Sequence, residues 1–222
     1  MDAVIKIGGS LAQSQSLPRL METISQLAQR HRLVVLPGGG PFADLVRDQC
    51  RLRALTDVAA HWMAISAMDQ FGYLLADLCE NTQTVRDFSS AAQTAKAGRL
   101  PVFLPYGPML AADPLPNSWD VTSDSIAAWV AGAMQAKRLV LLKSVDLAPA
   151  AASFGVHERD ALGDKATLAD LAAWEGVDSY FTEALAPLEM DVWIVNGRHP
   201  ERLRQLLENG QTIGTRLDKA HP

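Results

Sequence analysis

The chain has 222 residues, 48% hydrophobic and 20% charged, enough to bury a substantial core without disulfide or metal staples. Its net charge of −5 and pI near 5.5 give no general attraction to nucleic acid or anionic membrane, so a phosphate-bearing ligand must be held by a few placed cations and backbone amides. Cys50 and Cys79 are too far apart for a CxxC motif, no apolar run reaches spanning length, and Met1-Asp2-Ala3-Val4 lacks a basic leader; together these lead us to expect a cytoplasmic protein with reduced thiols.

In chain order, Val4 to Ile7 is a β-rich run ended by Gly8-Gly9. Ser16 and Leu17-Pro18 open a helix with Leu20, Met21, Ile24, Leu27 and Ala28 on its buried stripe. Leu33 to Leu36 reads as a strand covered on both faces, broken by Pro37-Gly38-Gly39-Gly40 and followed by a helix from Phe42 to about Leu52. A long helical pattern runs from Thr56 to about Cys79, and Leu100 to Leu104 is strand-like. The Pro-rich stretch through Pro105, Pro108, Pro114 and Pro116 reads as loop. Ser123 to about Ala136 is helical, Arg138 to Leu142 an apolar strand, and Ala148 to Gly155 a loop of small residues. Thr167 to Trp174 is a short helix, Val192 to Val195 a strand, and His199-Pro200 starts a helix that Asn209-Gly210 ends. The repeated order of strand, Gly-rich turn and helix predicts an α/β fold: a three-layer αβα sandwich around a mostly parallel sheet. Residues 1–217 form one expected domain, with 218–222 a short tail.

Two glycine loops each join a strand to a helix. One such turn alone is unremarkable, but two in adjacent units favour a phosphate site at the carboxyl ends of the strands. The Walker pattern is absent. Gly38-Gly39-Gly40-Pro41-Phe42-Ala43 fits a loose dinucleotide GxGxxA, but the acidic residue about twenty positions on, Asp57, falls in a helix rather than at a strand end. Lys6, alternating with Ile5 and Ile7 in a covered strand, either reaches solvent along its stem or faces an anion such as a migrating phosphoryl group. Asp120 and Asp124 sit four residues apart at a helix opening, where a carboxylate can cap the helix, hold lysines in place, or both. The histidines show no metal-ligand spacing. His61, Ile65 and Asp69 recur at i, i+4 and i+8, which spacing alone makes a solvated face and the neighbouring Ile65 and Met68 make a partly buried one.

Lys6-Ile7-Gly8-Gly9-Ser10-Leu11, Pro37-Gly38-Gly39-Gly40, Val121-Thr122-Ser123-Asp124-Ser125-Ile126-Ala127-Ala128 and Gly214-Thr215-Arg216-Leu217 together resemble the amino acid kinases, in the family's order and over nearly the whole chain. A narrower set, including Gly38 to Ala43, His61 with Met68-Asp69, Trp119, and Val195 to Arg202, resembles the branch of that superfamily serving methanofuran biosynthesis. The resemblance implies ATP with magnesium, a small phosphorylated acceptor carrying an aminomethyl-furan group, and a homo-oligomer. It implies catalysis by Lys6, Asp124 and Lys143, and nucleotide binding by Gly8, Gly9, Ser10, Ser144, Val145 and Asp146. Acceptor binding would fall to Gly38, Gly39, Gly40, Phe42, His61, Asp69, Asp120 and Ser123, with Asp69 taking the amine. Two departures stand out. Residues 177–181 lack the family's second lysine, leaving Lys143 and Lys165 as candidates, of which Lys143 is preferred because it ends a sheet strand; and Lys143 to Ala148 lacks the usual glycine and aromatic. A related kinase with another acceptor, or a non-catalytic nucleotide sensor, stays open.

Overall fold

The computed structural model describes residues 1–146, 165–172, 174 and 176–217. The expected loop over 148–155 and tail over 218–222 lie outside the described residues. The strands are β1 (Ala3–Ile7), β2 (Leu33–Pro37), β3 (Thr82–Val85), β4 (Leu100–Phe103), β5 (Arg138–Lys143), β6 (Lys165–Ala166), β7 (Asp191–Asn196) and β8 (Thr215–Leu217). They form one eight-stranded sheet in the order β3-β4-β2-β1-β5-β7-β8-β6. All pairs are parallel except β7 with β8. The helices are α1 (Leu17–Ala28), α2 (Gly40–Arg53), α3 (Asp57–Asp77), α4 (Phe88–Lys96), α5 (Tyr106–Ala112), α6 (Ser123–Ala133), α7 (Leu168–Ala172), α8 (Phe181–Leu185) and α9 (Pro200–Asn209).

The central strands are apolar on both faces because both are covered. Alternation sends Ile5, Ile7, Val140 and Leu142 into a core shared with the stripe of α1 and with Leu203 and Leu206 of α9. Val4, Leu139 and Leu141 enter the opposite core, under Ile126, Ala127, Val130 and Ala131 of α6. Helix α3 contributes to both, through Ile65 and Met68 on one side and Phe71 and Leu75 on the other. The αβα sandwich expected from the sequence is therefore present. Lys6 and Lys143 follow the same alternation onto the α6 face, where the register sets Lys6 beside Leu141, two residues short of Lys143.

The sequence pattern misses several elements. It gives nothing between 80 and 99, where β3 and α4 lie. The strand β3 reads Thr-Gln-Thr-Val and occupies the sheet edge, so three of its four residues can be polar. Helix α4 is rich in Ser, Ala and Thr and starts where the Asp87 carboxylate accepts the Ser90 amide at 2.8 Å. The Pro-rich stretch is corrected in part: Tyr106–Ala112 is the helix α5, with Pro105 as its N-cap and Pro108 in its first turn, where a missing N–H costs no intrahelical bond. Helix α8 was also unforeseen. Among the described residues no helix is long and apolar enough to cross a membrane.

Phe71 is fully buried, and its ring supports Gly40 from below: a Cβ at Gly40 would lie 3.4 Å from Phe71 Cγ. Phe71→Ala should lower stability by about 3–5 kcal/mol, measured by urea unfolding.

Candidate active site

The site begins with three charged side chains from three elements. Lys6 of β1 and Lys143 of β5 flank Asp124 in the first turn of α6. Lys6 Nζ is 2.9 Å from Asp124 Oδ1 and Lys143 Nζ is 2.7 Å from Oδ2. Lys6 and Asp124 are each only 3% exposed. Burial alone would raise the Asp124 carboxyl, but the two ammonium groups overcome it and hold the pKa below the ordinary carboxylate value. Burial, aided by the charge of Lys6 and opposed by Asp124, pushes the Lys143 ammonium down to about 8. Two cations share one anion, so the cluster keeps a net positive charge when all three groups are ionised.

The start of α6 is fixed from outside by Asp178, a residue that the sequence reading passed over. Its Oδ2 accepts from the Thr122 amide (2.9 Å), the Thr122 hydroxyl (2.8 Å) and the Ser125 amide (3.0 Å), and its Oδ1 takes the Ser125 hydroxyl. Asp178 thus serves the N-terminus of a helix more than fifty residues earlier, a role that local spacing cannot reveal. It also adds negative potential at Lys143.

The two glycine loops touch. A Cβ on Gly9 would come within 2.5 Å of the Gly40 nitrogen, and one on Gly38 within 2.8 Å of the Gly9 nitrogen. Both are backbone clashes, so this approach requires glycine. Gly40 also has φ +55°, in the left-handed region. The amide of Gly8 is committed to the Leu142 carbonyl at 2.8 Å, and that of Gly38 to the Ile7 carbonyl at 2.8 Å. They extend the ladders and are not free to donate to phosphate. A Cβ on Gly39 would meet Ala43 Cβ at 2.3 Å, so this position also serves the opening of α2.

Two cavities meet over these loops. The larger, about 510 Å³, lies between α2, α3 and the start of α6; its wall includes Gly39, Gly40, His61, Met68, Trp119 and Ser123. The smaller, about 240 Å³, is bounded by Gly8, Lys143, Ser144, Val145, Trp174 and Gly176. Lys6, Gly9 and Ser10 line both. Trp119 and Arg47 of the larger cavity were not anticipated as site residues. Arg47 stacks over the Trp119 ring at 5.6 Å and pairs with Asp44 at 2.7 Å.

Six expected site residues stand outside these walls: Gly38 and Asp124, described above, and Asp69, Phe42, Asp120 and Asp146. Asp69 accepts the Tyr106 amide at 3.1 Å, at the start of α5, and burial raises its carboxyl pKa. Eight residues along a helix turn it about 80° from His61, which takes it off the cavity face. Phe42 packs between two core clusters at the base of α2. Asp120 is exposed and accepts the Ser118 and Ser179 hydroxyls, at 3.3 and 3.0 Å. Asp146 bonds Asn196 Nδ2 at 3.1 Å and pairs with Arg202. His61 does line the larger cavity. Its Nδ1 lies 3.4 Å from the Ser118 carbonyl oxygen, and burial lowers its pKa.

A sheet of this order, with glycine loops and a lysine–aspartate–lysine cluster at its carboxyl edge, has the positive charge and close backbone that phosphate groups require, as in phosphotransferases. A model of the Amino acid kinase family matches residues 1–147, and the chain belongs to that family. It is 27% identical over 221 residues to the [5-(aminomethyl)furan-3-yl]methyl phosphate kinase of Methanocaldococcus jannaschii, covering 96% of both chains. Its fold resembles the uridylate kinase of Archaeoglobus fulgidus (TM-score 0.73, 19% identity, 98% of this chain and 100% of that one). It also resembles the UMP kinase of Bacillus anthracis (TM-score 0.74, 16% identity, 99% and 96%).

The Lys143 ammonium, pushed down to about 8, loses its charge progressively as pH rises through that value, and with it any attraction for a polyphosphate. kcat/KM for ATP, which reports the free enzyme, should fall above about pH 8. In Lys143→Arg, whose guanidinium stays charged across the range, the profile should be lower but flat there. A flat profile in the parent would remove this ionisation from binding.

Proposed function

We propose that the chain is an ATP-dependent kinase that transfers the γ-phosphoryl group to a small phosphomonoester, [5-(aminomethyl)furan-3-yl]methyl phosphate, giving its diphosphate in methanofuran-type carrier biosynthesis. The observation that carries this reading is the pair of cavities with Lys6, Gly9 and Ser10 as their common wall. A transfer between two bound phosphates needs this arrangement, since donor and acceptor must approach one point from opposite sides.

The donor polyphosphate fits the smaller cavity, where Lys143 and the loop amides offer positive charge; Ser144 and Val145 would bound the nucleotide. The cluster suits an anion rather than a bare cation. Both Asp124 oxygens already face ammonium groups, and among the described residues no group of three or more His, Cys, Asp or Glu could hold a metal ion. Magnesium would therefore arrive on the oxygens of ATP itself, lowering their charge.

An oxygen of the acceptor phosphate would form a bond to the γ-phosphorus as the bond from that phosphorus to the β-bridging oxygen breaks, leaving ADP. The nucleophile is already anionic at neutral pH, so no general base is required. Lys6 would follow the charge of the group in flight, and Asp124 would keep both lysines aimed. Ser123 and the amide end of α2 at Gly39 and Gly40 would hold the acceptor phosphate. Ile65, Met68 and Trp119 offer apolar walls for a flat ring.

Incubation with ATP, magnesium and a panel of phosphomonoesters, followed by mass spectrometry, tests the proposal. The furan phosphate should gain one phosphoryl group with the highest kcat/KM. Preference for UMP or an isoprenoid phosphate would overturn the acceptor. Lys6→Ala should lower kcat about 10²–10³-fold with nucleotide Kd nearly kept; a parent-like kcat would take Lys6 out of the mechanism.

A further inference from the structure

The larger cavity contains a buried polar group that the transfer chemistry does not use. His61 is 3% exposed and lines the cavity. Its Nδ1 faces the Ser118 carbonyl oxygen. A carbonyl only accepts hydrogen bonds, so Nδ1 carries the proton of the neutral ring. Burial, partly offset by the Ser118 contact and by Asp113, favours that neutral form. Nε2 is left as a lone pair, buried and with no hydrogen-bond partner among the described residues. An unmet buried acceptor is costly, and a donor on a ligand relieves that cost.

The position of His61 along α3 says which part of a ligand it would meet. It precedes Phe71 by ten residues, nearly three helical turns, and Phe71 supports Gly40 at the phosphate end. Ile65 and Met68 line the cavity on the intervening turns, and Trp119 joins them from the loop before α6. The cavity thus runs from amides and Lys6, past apolar walls, to a neutral hydrogen-bond acceptor. A phosphate at the His61 end would confront a lone pair. Of the other charged groups in the wall, Arg47 and Asp44 are occupied with each other.

We infer that His61 selects the acceptor by taking a hydrogen bond, through Nε2, from a protonated primary amine at the end of the molecule opposite its phosphate. This rests on the reading of the chain as a kinase of an aminomethyl-bearing phosphomonoester. It replaces Asp69, which serves α5, as the group that reads the amine. It also fixes the direction of binding: phosphate toward Lys6, ring between Met68 and Trp119, amine toward His61.

The test measures kcat/KM for [5-(aminomethyl)furan-3-yl]methyl phosphate and for its 5-methyl analogue, which has no donor, in the parent, His61→Phe and His61→Gln. The parent should favour the amine. His61→Phe should lower the amine-to-methyl ratio at least about tenfold, and His61→Gln, whose amide oxygen can accept, should keep part of it. Melting temperature and nucleotide Kd near parent values would show that each variant is folded. A ratio unchanged in His61→Phe overturns the inference and leaves the kinase reading standing. Failure of the parent to phosphorylate the amine overturns both. Should His61→Phe not fold, the parent ratio decides: a value near one removes any selection for the amine.

Discussion

The Asp124 carboxylate, buried between two lysines, is the constraint on which the rest of the site depends. Two ammonium groups on neighbouring strands of a covered sheet face would repel each other without an anion between them. Asp124 supplies that anion from the first turn of α6, where the free amides and the dipole also favour negative charge. One residue therefore ties β1, β5 and α6 together. Asp178 completes the arrangement by holding Thr122 and Ser125 from the far side of the helix start. A shift of α6 would open the ion pairs, so the geometry of the cluster and the packing of the helix are a single property.

The same constraint gives an acidic protein a local centre of positive charge. The net charge of −5 offers no general attraction, yet the cluster carries two positive charges against one negative in a largely desolvated corner. Fields in such a place are far less screened than at the surface. The depressed Lys143 pKa is the cost of that arrangement: burial and the charge of Lys6 weaken the charged form of the second cation.

Glycine gives the site its shape. The loops after β1 and β2 are packed backbone to backbone at Gly9, Gly38 and Gly40, and no side chain fits between them. That thin wall lets two cavities lie on either side of one lysine. His61, Trp119 and Arg47 line the larger of them.

Much of this was legible in the chain. Strand–glycine–helix order is written in local patterns, because covered parallel strands must be apolar throughout and tight turns must be glycine; β1, β2, β5, β7 and the long α3 could be read directly. Lys6 and Asp124 were legible as a charged residue in a covered strand and a carboxylate at a helix opening. The edge strand β3 and helix α4 were not, since their burial is partial and their residues are small or polar. Helix α5 was hidden behind its prolines. Sequence spacing could place His61 and Asp69 on one helix, but an 80° turn separates a cavity wall from a helix cap. The partnership of Lys6 with Lys143 through Asp124 joins positions up to 137 residues apart, and that of Asp178 with Ser125 spans 53. The sequence by itself determined the scaffold and the charges available to it, because those depend on neighbours in the chain. Only the tertiary structure decided which charges meet and which side chains line the cavities, because those depend on neighbours in space.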